Sequence, residues 1–223
     1  MGMLIEFSIF FGICLIGIGF SVYRIVNKMI TSPTLAQRPG LALEVTAAVD
    51  PNVAAFIEAK GFRFANAYQF HTIRLGHWEQ AGNHVPLRRL SVSLSPAGTN
   101  HEFITEFSDD HSLTTTKTRA AFMFPRPFGS FLQSFPSASI EHLWDMHVRG
   151  EQHIISNLSI PVKECRVAYL DGFAPATLRQ MRCVKSFPLW PVRGVYWFLI
   201  KRFLMANRPI WTQNVSKLYR QTA

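Results

Sequence analysis

Beyond Asp171 the chain has no acidic residue. Nine lysines and arginines occupy residues 172–223, whereas residues 1–171 balance 14 basic against 14 acidic side chains, so the whole net charge of +9 lies in the C-terminal quarter. An imbalance that concentrated points to an anionic partner, either lipid headgroups or nucleic acid. Cysteine is scarce as well. Cys14, Cys165 and Cys183 are odd in number and form no C-x-x-C pair, which excludes a disulfide framework and zinc-finger spacing. A reducing compartment is expected, with Cys165 and Cys183 as small buried apolar groups. There is no G-x-S-x-G, no P-loop, no G-x-G-x-x-G and no internal repeat, so the sequence gives no support to a hydrolase elbow or a nucleotide site.

What is present is apolar. Hydrophobic residues make up 48% of the 223, with 19 Phe and 5 Trp, and the mean hydropathy is +0.10. That composition excludes wholesale disorder and leans toward membrane contact. Phe7–Tyr23 carries no charge, and apolar character runs from Met3 to Ile30 with Glu6, Arg24 and Lys28 at the edges. At about 1.5 Å per residue this stretch can cross a hydrocarbon layer of about 30 Å. Residues 1–30 are therefore expected to be a transmembrane anchor. A cleaved signal peptide is the rival, but its positive n-region is missing and MITSPTLAQ matches a cleavage site poorly. Arg24, Lys28 and Arg38 follow the span, which predicts a single-pass, N-out and C-in topology with the bulk of the chain cytoplasmic.

Residues 31–40 have linker composition, and a cytoplasmic α+β domain is expected over 41–186. Asp50-Pro51 signals a helix start and Gly61 its end. Aromatic, β-branched and threonine-rich runs predict four antiparallel strands near 62–78, 86–94, 101–107 and 112–122, broken at 81–84, 95–100 and 108–111. In HEFITEF, Phe103, Thr105 and Phe107 share one face. The loop FPRPFGSFLQSFP excludes a regular helix or a central strand, because its prolines cannot donate to a ladder. Ile140, Leu143, Trp144, Val148, Ile154, Ile155 and Leu158 then keep helical spacing, with Gly150 a weak point.

Candidate chemistry is thin. His142, His147 and His153 lie on that helix, but they stand about 140° and 120° apart around it, which excludes a metal site on one face. No metal or cofactor is expected. His147 and Glu151, at i and i+4, are the candidate catalytic pair, a general base with its orienting carboxylate, or else a surface ion pair. Asp109, Asp110 and His111 read as a hairpin turn, and Thr114, Thr115, Thr116 and Thr118 as strand formers.

Residues 187–223 are expected to form a basic, tryptophan-bearing helix and tail. A second span does not fit, since GVYWFLI between Arg193 and Lys201 is too short and Lys201 with Arg202 would sit near the bilayer centre. On a helical wheel Val192, Val195, Tyr196, Leu199, Ile200, Phe203 and Ala206 form a side suited to packing on the domain. Trp197, Phe198, Leu204 and Met205 mingle with cations opposite. Trp190, Arg193, Trp197, Lys201, Arg202, Arg208 and Trp211 are accordingly expected to contact anionic headgroups. Nucleic acid is the poorer match, because the aromatics follow helix packing rather than a stacking platform. The expected function is a membrane-tethered binding or scaffold domain, with a possible protein partner. The alternative is an enzyme that uses His147 and Glu151 on a membrane-proximal or lipidic substrate.

Overall fold

A computed structural model describes residues 2–31, 35–80, 87–96, 98–108, 110–161 and 169–213. The expected turn at 81–84, Cys165, Asp109, part of the linker and the end of the basic tail lie outside the described residues. The fold is α+β. Helix α1 (Gly2–Thr31) is a continuous rod whose segment Gly12–Thr31 is long and apolar enough to cross a membrane, with only 11% of it buried.

Two short helices lead into the sheet. Helix α2 (Leu41–Ala47) begins at Gly40, whose φ of 76° is a conformation glycine adopts without strain, and it buries Leu41 and Val45. It crosses the sheet over Gly76, where a β-carbon would stand 2.4 Å from Val45 Cγ1. In helix α3 (Pro51–Ala59) the Asp50 carboxylate accepts from the Asn52 N–H at 2.8 Å, as the sequence signal predicted. Its Val53, Phe56 and Ile57 face the core.

The sheet has six strands rather than four: β1 (Phe62–Phe70), β2 (Ile73–Gln80), β3 (Arg88–Ser95), β4 (Gly98–Glu106), β5 (Ser112–Thr116) and β6 (Ser130–Ser134). They lie in sequence order, antiparallel from β1 to β5, with β6 parallel to β5. Two features account for the difference. The run expected as a single strand at 62–78 is a hairpin that turns at His71, whose φ of 54° carries the chain back without any glycine or proline. The second is β6, which forms inside the Phe-rich loop, between Pro127 and Pro136. At the sheet edge it pairs on one side only, so the flanking prolines interrupt no ladder.

Helix α4 (Ile140–Leu158) starts at Ser139, whose hydroxyl accepts from the His142 N–H at 3.2 Å, and packs across β4 and β5. Phe103, Thr105 and Phe107 are fully buried beneath it or beside it. Around Phe56, Phe62, Phe103 and Trp144 the ring centroids lie 5.2–6.4 Å apart, the main aromatic core. The opposite face of the sheet is not simply wet. His77, Arg89 and Ser91 are buried there, and Arg89 pairs with Glu79 and Glu106.

Two further helices pack away from this core. Helix α5 (Tyr169–Ser186) and helix α6 (Trp190–Tyr196) pack on the second half of α1, with Val22, Val26, Met181, Val184 and Trp197 at the centre of the contact. The helix that begins with α6 continues through a π turn (Trp197–Lys201) into α7 (Arg202–Leu204). The chain then returns to the sheet, where Asn207 N–H donates to the Ser134 carbonyl at 2.7 Å and Ile210 is fully buried.

Candidate functional site

The geometry places three arrangements of interest: a sealed polar chain beneath α4, an open cleft at one end of the sheet, and the exposed side of the C-terminal helix. The polar chain contains the candidate catalytic pair. His147 and Glu151 fall on the face of α4 that meets the sheet, and their side chains are 0% and 2% exposed. That overturns a surface ion pair. The physical reason is the helix phase: the buried face runs through Ile140, Leu143, His147, Gly150, Glu151 and Ile154, while Ile155 is exposed.

Hydrogen bonds link these groups in one direction. Gln133 Nε2 donates to Thr115 Oγ1 at 2.8 Å, and Thr115 Oγ1 lies 2.8 Å from His147 Nδ1. His147 Nε2 lies 2.9 Å from Thr105 Oγ1, which donates to the Glu151 carboxylate. One hydrogen per hydroxyl then assigns the His147 proton to Nε2. Glu151 also receives Arg88 Nε at 2.8 Å, and the Arg88 guanidinium lies 5.3 Å from the centre of the Trp144 ring. Burial pushes the Glu151 carboxyl up, but the His147 ring, Arg88 and Thr105 more than offset this and hold it below the usual carboxylate range. Every partner is protein, which suits a core that a polar chain fixes in one register.

The cleft is different. Ala48, Asp50, Asn52, Val53, Thr99, His101, Lys117, Ser139, Ile140 and Glu141 line an opening of about 720 Å³ between the N-terminal ends of α3 and α4 and the sheet. His101 forms part of its floor. It lies on the same strand face as Phe103, is 7% exposed, and has no hydrogen-bond partner for either ring nitrogen among the described residues. Burial, reinforced by Lys117 and opposed by Asp50, lowers its pKa to about 4. At neutral pH the ring is therefore uncharged, with one donor and one acceptor that no described side chain engages. Glu141, on the rim, lies below the usual carboxylate range because its own backbone N–H and the Ser139 hydroxyl donate to it.

No protein-family model, curated protein or solved structure matches this chain.

Among the described residues the remaining histidines do not converge. His142 is exposed beside Phe135, His153 lies 2.9 Å from Asn157, and the His111 ring lies 3.0 Å from the Ser108 carbonyl at the β4–β5 corner. Among the described residues no three His, Cys, Asp or Glu side chains form a group that could hold a metal. Thr118 caps the 3₁₀ turn Arg119–Met123, and Asp110 pairs with Arg179 at 3.3 Å.

The C-terminal helix packs by a face other than the one the wheel suggested. Gly194 and Trp197 are buried against α1, while Leu189, Val192, Tyr196, Ile200 and Phe203 are 48–75% exposed. Glycine has no side chain to hold the helices apart, so the axes approach at Gly194 and the apolar wheel face turns outward. Of the seven residues expected at the headgroups, Trp190 stacks on Tyr23 with centroids 5.6 Å apart, and Arg193 is exposed over the Phe187 ring. Lys201 and Arg202 are partly buried and Arg208 is exposed. Trp197 faces α1, and Trp211 packs into the domain core beneath Arg149. Sequence reasoning missed His101, although a histidine in phase with Phe103 on the apolar side of a strand was visible.

Proposed function

We propose that this chain is a membrane-tethered binding domain, held by α1 as a single pass, with the domain on the cytoplasmic side and its ligand taken in the cleft above His101. The observation that carries this reading is the pairing of α1 with α6: the two helices share an interior yet both keep large apolar side chains outward. On α1 these are Phe10, Ile13, Ile16 and Phe20; on the C-terminal helix they are the Leu189 to Phe203 stripe at intervals of three and four. Two such surfaces side by side are costly in water and favourable in a bilayer interface. Arg24, Lys28 and Arg38 on the domain side of the span support the orientation.

A binding role is favoured over catalysis by His147 and Glu151 because that pair is sealed and already hydrogen-bonded to protein. A test uses the full chain, since removing α1 would strip the cover from Met181, Val184 and Trp197. Nitroxide labels at V192C and I200C, in a C14A/C165A/C183A background reconstituted into vesicles, should be accessible to oxygen and shielded from a water-soluble nickel chelate. Free access of the chelate to both would overturn the second membrane contact. Release of the chain from membranes at alkaline pH would overturn the span.

A further inference from the structure

The C-terminal helix meets the domain at a cluster of four cations, Arg119, Arg126, Lys201 and Arg202. The π turn and α7 pack on the 3₁₀ turn Arg119–Met123. Across this contact the Arg119 guanidinium lies 5.3 Å from the centre of the Phe203 ring, and Arg202 lies 4.8 Å from the same ring and 4.1 Å from Phe198. The two like charges are thus within about 10 Å of each other, one Debye length at ordinary salt. Among the described residues Arg126, between Pro125 and Pro127, bonds only the Ala121 carbonyl, at 3.4 Å. Lys201 stands near enough to Arg126, in a desolvated setting, for both burial and that charge to lower its pKa.

Among the described residues none of these four cations forms an ion pair. The Nε atoms of Arg126 and Arg202 are buried and have no hydrogen-bond partner there. The carboxylate that acts on Arg126, Glu102, already accepts from Asn100 and Thr116. Three partly buried cations and the exposed Arg119 thus share one nearby carboxylate, an excess of positive charge that a bound anion would offset.

We propose that Arg119, Arg126, Lys201 and Arg202 bind the phosphate group of an anionic amphiphile. Guanidinium forks match phosphate oxygens two at a time, and a lysine adds a point charge, so the donor set fits phosphate better than a lone carboxylate. The exposed Phe203 and Leu204 beside the cations supply a surface for an acyl chain. The choice of a lipid over free phosphate rests on the membrane reading above; the phosphate chemistry does not.

The full chain in a non-ionic maltoside micelle would be titrated with dioctanoyl phosphatidic acid, inorganic phosphate and laurate. Binding of the phosphatidic acid alone supports a lipid source, and equal binding of inorganic phosphate supports a soluble one. The R126Q/K201Q variant should weaken binding by about tenfold or more, whereas R193Q/R208Q, on exposed cations, should change it little. R126Q should also raise the melting temperature of the ligand-free chain, because burial disfavours the Arg126 charge more than Glu102 favours it. If R126Q/K201Q does not fold, R119Q/R202Q is expected to show the same loss. Equal binding of laurate, no binding of either phosphate, or equal losses in the exposed-cation control would overturn the proposal. The micelle carries no bilayer, so failure here leaves the spin-label result standing, and the converse also holds.

Discussion

Gly194 of the C-terminal helix lies so close to Val22 of α1 that a β-carbon at position 194 would stand 2.5 Å from Val22 Cγ1. Real side chains do not approach so closely, so G194A must push the helices apart. An overpacking cost of about 1–3 kcal/mol is expected, seen as a lower melting temperature and a changed emission from Trp190, whose ring stacks on Tyr23. V22A added to G194A should restore both signals. Failure of that rescue would show that the close approach is not what G194A disturbs.

The sealed pair gives a second expectation. E151Q or H147A leaves Arg88, Thr105 or Thr115 without its partner in a buried setting, and either change should cost about 3 kcal/mol or more in urea unfolding. An unchanged unfolding midpoint in both variants would argue against a packing role and return the pair to consideration as chemistry.

Stability should fall in mild acid. His77 is lowered from 6.5 to about 3 by burial and by Arg89, and also faces Glu79 at 3.8 Å; His101 is lowered to about 4 by burial and Lys117, with Asp50 opposing. Both pKa values are depressed on folding, so the unfolded chain binds protons first as pH drops. The melting temperature is expected to be level above about pH 6.5 and to decline between 6.5 and 3, with Glu151 adding to the loss below 4.5. H77F or H101F should flatten part of that decline, and a pH-melting series on each would show whether they do.

Gly150 tests helix propensity against packing. By propensity alone G150A gains about 1 kcal/mol. Here α4 passes so near the sheet that a β-carbon would meet Gln133 Nε2 and Leu113 Cδ2, each at 3.0 Å, and Gln133 is pinned by Thr115 and by the Met146 carbonyl. A net loss is expected in unfolding measurements. A net gain would mean that Gln133 gives way.

The elements legible in the sequence were those with a local cause. Asp50-Pro51 announced a helix start, the spacing of Ile140, Leu143, Trp144 and Ile154 announced α4, the apolar run announced α1, and the period-2 pattern of HEFITEF set which face of β4 is buried. The hairpin at His71 had no glycine or proline to mark it, so two strands read as one. Strand β6 was hidden because prolines exclude a central strand but not an edge strand, and the strand order that makes it an edge is a tertiary fact.

The sequence by itself determined the apolar rod, the strand-rich middle and the basic C-terminal quarter, because composition and periodicity follow from each residue and its near neighbours. Only the tertiary structure decided which side of each helix is inside. A wheel gives the apolar stripe but not the phase at which it docks. That phase sealed His147 and Glu151 beneath α4, turned the Val192 to Phe203 face outward at Gly194, and set His101 at the floor of a cleft. It also brought Arg119 and Arg126 against Lys201 and Arg202, residues some eighty positions apart in the chain whose charges meet only because the C-terminal helix returns to the domain.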